Sequence, residues 1–194
     1  MKKIISMLLF ACITLGISAQ DQGEHLKFKG IPIDGTLNSF VAKLRQKGCI
    51  PLKSGDGVAL LKGDFAGYKD CTIGAVAIKN KDLVCKVAVV FPSHDTWGKL
   101  ENNYMSLKSM LTSKYGEPSD CVEEFQSYSQ PKDDNSKMYE LQFDRCKYYT
   151  VFRTGNGAIQ LEISHQSVTE CYVMLSYYDA LNQQVVVSDA MDDI

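Results

Sequence analysis

Two apolar stripes at helical spacing constrain this chain more than any other feature. Leu37, Phe40, Val41 and Leu44 fall at i, i+3, i+4 and i+7, and Trp97, Leu100, Tyr104, Leu107 and Leu111 repeat the three–four spacing. Each stripe is one side of a helix that needs an apolar partner. The runs that follow supply one. Behind the first stripe come Cys49–Lys53, Val58–Ala66, Cys71–Ile78 and Leu83–Phe91, separated by Ser54-Gly-Asp-Gly57, Gly67-Tyr-Lys-Asp70 and Lys79-Asn-Lys-Asp82. Short runs between brief polar turns describe an antiparallel meander. In the fourth run Leu83, Cys85, Val87, Val89 and Phe91 are expected on one face. Behind the second stripe come Tyr148–Thr154, Ala158–Gln166 and Cys171–Asp179, the first two joined by the hairpin signal Gly155-Asn156-Gly157.

The boundaries have local chemistry. Thr36 can cap the first helix and Gly48 can stop it; Pro92 closes the first set of strands, and Ser93-His94-Asp95-Thr96 offers several caps for the second helix. That helix stops at Gly116, with Pro118 beyond it. Similar helix ends, Lys43-Leu44…Lys47-Gly48 and Met110-Leu111…Lys114-Tyr115-Gly116, each lead into strands and read as a diverged helix-plus-meander repeat. Ahead of the first helix, Leu26 and Phe28 share a phase that flips at Gly30 to Ile31 and Ile33, the mark of a bulge or a strand break. Residues 117–146 are the least regular. Tyr139, Leu141 and Phe143 alternate as in a strand, whereas Met138, Leu141 and Arg145 suit a short helix over 136–145, and the helix is preferred. The expectation is an α+β fold, with a single twisted antiparallel sheet of about seven or eight strands and two main helices, about 37–47 and 96–115, packed on one face. Residues 20–181 form the domain, and 182–194 are a flexible acidic tail.

The N-terminus reads as a secretory signal peptide over 1–19: Lys2 and Lys3, an apolar stretch from Ile4 to Ile17, then the small pair Ser18-Ala19. Cleavage near Ala19/Gln20 would send the mature chain to the periplasm or outside the cell. The apolar stretch is too short for a spanning helix, and no transmembrane segment is expected in the mature chain. Loss of Lys2 and Lys3 leaves 19 of 21 basic residues against 23 acidic ones, so the formal net charge moves from −2 to −4. That balance argues against a nucleic-acid partner. Cleavage also takes Cys12, one of seven cysteines. The six that remain contain no C-x-x-C pair, so neither a metal nor a redox cofactor is indicated. The most plausible disulfide is Cys121–Cys146, which would staple the irregular segment; buried reduced thiols are the alternative.

Three segments carry a resemblance. His25-Leu-Lys-Phe-Lys-Gly-Ile-Pro-Ile-Asp-Gly-Thr36, Lys114-Tyr-Gly-Glu-Pro118 and Gly157-Ala-Ile-Gln-Leu-Glu-Ile163 resemble segments of uncharacterised secreted proteins of gut anaerobic bacteria. These are turn, helix-stop and hairpin motifs, and the resemblance implies no activity. The element order also looks like the TATA-box-binding-protein-like and beta-lactamase-inhibitor-like folds, which carries no function by itself.

Catalytic signals are sparse. Ser93-His94-Asp95 holds triad residue types, but consecutive positions cannot assemble a triad, and helix capping accounts for them. His25 is expected in solvent. His165 continues the face of Ile159, Leu161 and Ile163. Asp133-Asp134-Asn135 falls short of a calcium constellation. The stronger lead is aromatic: five of ten tyrosines fall between 148 and 178. If Ile163 faces Val173 and Leu161 faces Leu175, the core takes Cys171, Val173, Leu175 and Tyr177, while Tyr172, Met174 and Tyr178 point the other way, near Gln160 and Glu162. That second face is apolar for one set in water. Either residues 117–146 cover it, towards which the sequence tilts, or it binds a protein, peptide or glycan partner. The function expected is a non-enzymatic exported binding module, with a structural envelope component and an envelope hydrolase using His165 or His94 as the alternatives.

Overall fold

Lys29 (φ 50°) and Gly30 (φ 78°) are both left-handed, and they close a tight hairpin between β1 (Lys27–Phe28) and β2 (Ile31–Pro32). The phase flip at Gly30 is therefore a strand break, and Leu26, Phe28, Ile31 and Ile33 are all buried. The structure, a computed structural model, describes residues 23–78 and 80–192. The expected leader and its cut lie outside them.

The first stripe forms α1 (Leu37–Gln46). Thr36 Oγ1 accepts from Ser39 N at 3.2 Å, and Leu37, Phe40 and Leu44 are buried. Four strands follow: β3 (Ile50–Gly55), β4 (Val58–Phe65), β5 (Tyr68–Ile78) and β6 (Leu83–Val90). The second stripe forms α2 (Trp97–Tyr115), which ends at Gly116 with φ 83°. Then come β7 (Asp120–Phe125), α3 (Asp134–Gln142), β8 (Cys146–Thr154), β9 (Gly157–Ser167), β10 (Glu170–Asp179) and α4 (Ala180–Asp192). The eight strands from β3 onward make one antiparallel sheet in the order β3-β4-β5-β6-β10-β9-β8-β7. Each half is a helix followed by four strands that pair in chain order, and the last strands of the halves, β6 and β10, pair with each other. Buried residues of α1, α2 and α3 join alternate residues of the strands in one core.

Edge and centre differ in composition for a physical reason. The central strands carry Val84, Val87 and Val89, and Val173, Leu175 and Tyr177, all buried. The edges carry Pro51 and Lys53 on β3, and Asp120, Glu123 and Glu124 on β7. Proline and charge at an edge discourage a further strand from adding to it. The same polarity hid β7 from periodicity.

Several expectations are corrected. In β6 the register shifts between Val76 and Ala77 on its neighbour, so that Lys86 pairs with Val76 and Val84 with Ala77. This bulge breaks the alternation: Val84 enters the core in place of Leu83 and Cys85. The helix preferred over 136–145 does form, as α3 ending at Gln142, because Asp133 Oδ1 caps Ser136 N at 2.8 Å and Met138 and Leu141 are buried, while Tyr139 and Phe143 stay exposed. Residues 182–192, expected as a tail, are helical in α4, with Asn182 buried and its Nδ2 donating to Val84 O and Ile33 O. All six described cysteines are free. A Cys121–Cys146 bridge fails on register: Cys121 lies opposite Thr150 and Cys146 opposite Phe125, four residues apart, or about 13 Å along strands, where a disulfide needs Cα atoms within about 7 Å.

Among the described glycines, Gly157 has the tightest surroundings. A Cβ there would lie 2.0 Å from Tyr178 O, whereas one on Gly155 meets nothing within 4 Å. Gly157→Ala is expected to cost about 3 kcal/mol and Gly155→Ala well under about 1 kcal/mol in urea unfolding followed by circular dichroism.

Candidate functional site: the sheet face away from the core

Strand β10 presents two unlike sides. Cys171, Val173, Leu175 and Tyr177 are buried in the core, and Tyr172, Met174 and Tyr178 alternate with them, half-buried on the other face. The register is the expected one, with Val173 opposite Ile163, Leu175 opposite Leu161 and Met174 opposite Glu162. The tyrosine cluster splits accordingly. Tyr148 meets Trp97 edge-on at 4.8 Å and Tyr177 meets Phe28 at 5.3 Å, both on the core side. Tyr149, Tyr172 and Tyr178 belong to the opposite face.

Pairing builds that face in rows across the strands. One row runs Thr72, Val90, Met174, Glu162, Tyr149 and Val122. The next runs Leu60, Gly74, Ala88, Ser176, Gln160 and Val151. A third runs Val76, Lys86, Tyr178, Ala158 and Arg153. Small side chains at Gly74, Ala88 and Ser176 make the middle row a trough. Ser176 is 1% exposed, and its Oγ has no hydrogen-bond partner. Lys86 Nζ lies 4.8 Å from the centre of the Tyr178 ring.

Tyr172 and Tyr178 are not one compact patch. Tyr172 borders a cleft of about 220 Å³ with Asp70, Thr72 and Ser93. Tyr178 borders another of about 330 Å³ with Arg153, Ala158 and Gln183. Six residues of strand, about 20 Å, separate them. Residues 117–146 give these clefts no cover from α3. Its Asp134 Oδ2 accepts from Gly98 N at the start of α2 at 3.2 Å, and its Met138 and Leu141 enter the core. Lys86 and Arg153 escaped sequence reasoning because only register brings them to Tyr178, whereas Ser176, two residues before it on β10, follows from alternation alone.

The histidines sit in polar company. His94 N donates to Cys171 O (2.8 Å), and His165 stands opposite the same cysteine while its Nε2 donates to Asp144 Oδ1 (3.0 Å). Burial, with Lys99 adding to it, holds the His94 imidazole below its usual range. Burial pushes the Cys171 thiol up, and the side chain is 1% exposed within the core. A protonated, enclosed thiol is a poor nucleophile. His25 is not in free solvent: Nδ1 donates to Asp179 Oδ1 at 3.0 Å and Nε2 lies 3.5 Å from Asp34 Oδ2. Asp179 is fully buried and also accepts from Leu26 N and Asn182 N. Asp133 is spent on the α3 cap. Among the described residues no group of three or more His, Cys, Asp and Glu side chains is placed to hold a metal ion.

A second polar cluster joins α2 to the β7 edge. Lys108 Nζ donates to Glu123 Oε1 (2.5 Å) and to Cys121 Sγ (3.2 Å), and Tyr104 OH shares a hydrogen bond with Thr150 Oγ1 (2.5 Å). Burial alone would raise the Glu123 carboxyl, but Lys108 holds it below the usual carboxylate range. The chain matches no family model, no curated protein and no solved structure.

Two outcomes follow from this cluster. A depressed carboxyl stabilises the fold above its unfolded pKa and loses that contribution as pH falls through the folded value. The stability gap between wild type and Lys108→Met, about 1 kcal/mol for a single half-buried surface pair, is therefore expected at neutral pH and should vanish below about pH 4 in urea titrations. Cys121 is exposed, whereas Cys49, Cys71, Cys85 and Cys171 are buried. Iodoacetamide followed by peptide mass spectrometry of the folded protein should find Cys121 carboxamidomethylated ahead of those four.

Proposed function

We propose that this protein is an exported, non-enzymatic binding module that uses the sheet face away from its core. In this reading α1 and α2 both lie on the core face and leave the other bare to a protein, peptide or glycan partner. Residues 1–19 would be its leader, removed near Ala19/Gln20. The observation that carries the reading is the middle of that face: Val76, Val90 and Met174 are only half-buried around a floor of Gly74, Ala88 and Ser176, with half-buried Tyr172 and Tyr178 at its two ends. A large apolar surface in contact with water marks an interaction site more often than a solvated one. Among the described residues no helix is long and apolar enough to cross a membrane.

The hydrolase reading has two observations in its favour, the His165–Asp144 pair at 3.0 Å and the placing of His94 and His165 on either side of Cys171. The burial of Cys171 in the core weighs against it, as does its thiol held protonated. A structural envelope component would use the same face, permanently occupied.

Substituting Tyr172, Met174 and Tyr178 together by Ser tests the proposal. The triple variant should keep the far-ultraviolet circular dichroism of the wild type. It should lose the envelope proteins that the immobilised wild type retains, as identified by mass spectrometry. Equal retention of the same proteins by a folded triple variant would overturn the proposal.

A further inference from the structure

The third row of the open face carries charge without partners. Lys86 on β6, Tyr178 on β10, Ala158 on β9 and Arg153 on β8 lie side by side on four adjacent strands. Lys86 has the Tyr178 ring for company, at 4.8 Å, and no carboxylate within ion-pair distance among the described residues. Arg153 is exposed and has neither hydrogen bond nor ion pair there. Elsewhere, Lys62 on β4 lies 2.9 Å from Asp70 and Lys108 on α2 lies 2.5 Å from Glu123. In a chain with more acids than bases, 23 against 21, Lys86 on one side of Tyr178 and Arg153, which lines the Tyr178 cleft, on the other form a local positive field that favours an anionic visitor.

We propose that this face takes an acidic peptide, an extended segment of a partner protein that crosses the strands with one carboxylate at Lys86 and a second at Arg153. The inference rests on the binding reading above and names its ligand. Spacing supports it. Three strand intervals put Lys86 and Arg153 about 14 Å apart, and an extended peptide covers about 13 Å in four residues, so acids at i and i+4 reach both. The residue between them lies over Tyr178 and Ala158, where the cleft opens. Alongside runs the Gly74–Ala88–Ser176 trough, into which Ser176 presents a buried hydroxyl without a partner. An unmet hydroxyl of this kind is completed by a peptide N–H or C=O. Met174 beside it is a flexible side chain able to move aside. The aliphatic walls, Val76, Val90 and Met174, suit an apolar peptide side chain better than a hydroxyl-rich sugar. The two polar groups nearest the trough, Gln160 and Glu162, bond to each other at 3.0 Å.

The test uses the full mature domain and two blocked peptides, Glu-Thr-Val-Thr-Glu and its Gln-Thr-Val-Thr-Gln counterpart, read by amide chemical-shift mapping and by titration. The acidic peptide is expected to shift amides around positions 86, 153, 158 and 178. Its affinity should fall at least about tenfold in Lys86→Gln/Arg153→Gln and on raising salt from about 0.05 to 0.5 M, and should exceed that of the Gln peptide by a similar factor. The double variant should keep the fold, because both side chains project from the surface of the sheet. Equal binding of both peptides to this face would overturn the acidic preference and leave the binding reading standing. Silence of the face towards both would overturn the inference, and so would a uronic acid oligosaccharide shifting these amides where the peptides do not. A partner lost in the Tyr172/Met174/Tyr178 variant but held undiminished by Lys86→Gln/Arg153→Gln would separate the two proposals, sinking only this one.

Discussion

The pairing of β6 with β10 is the contact on which the rest of the structure depends. Either half alone, a helix and four strands, would end in a long apolar strand with unpaired backbone groups on one side. Joining Val90 to Met174, Ala88 to Ser176 and Lys86 to Tyr178 removes both edges at once. It also sets the polar strands β3 and β7 at the rims, where Pro51, Lys53 and the β7 acids tolerate exposure. One core then serves both halves, and every apolar stripe of α1, α2 and α3 finds cover in it.

The same junction makes the candidate site. The trough of Gly74, Ala88 and Ser176 exists because the register of β5, β6 and β10 aligns three small residues from distant parts of the chain. A register change of one residue would send these side chains into the core and bring Val87 and Val89 out. Asp179 holds the end of this strand in place. It is buried, and it gathers the backbone of Leu26, the imidazole of His25 and the first turn of α4. The N-terminal hairpin and the C-terminal helix are thereby tied to one carboxylate, next to the cleft at Tyr178.

Much of the architecture was legible in the sequence, and the failures have physical causes. α1, α2 and the strands from β3 to β6 and β8 to β10 were readable because each has one apolar side, and Gly155-Asn156-Gly157 marked its hairpin. β7 was not, since an edge strand with three acids among the five residues before Phe125 shows no alternation. The bulge in β6 moved Cys85 out of the core. Periodicity assumes an unbroken phase, and one extra residue breaks it. Cys121 and Cys146 looked like a staple by separation in the chain, and register then set them at opposite ends of a strand pair.

Taken alone, the amino-acid order determined which segments become helix or strand and which side of each is apolar, because both follow from local propensity and period. It also identified Tyr172, Met174 and Tyr178 as the side of β10 that avoids the core. The tertiary structure alone decided that Tyr172 and Tyr178 face separate clefts. It decided too that Lys86 and Arg153 stand on either side of Tyr178, and that His25 closes on Asp179 while His94 and His165 flank a buried thiol. The reason is that these neighbours lie tens of residues apart in the chain. Only strand register, set by the pairing of β6 with β10, fixes who stands beside whom.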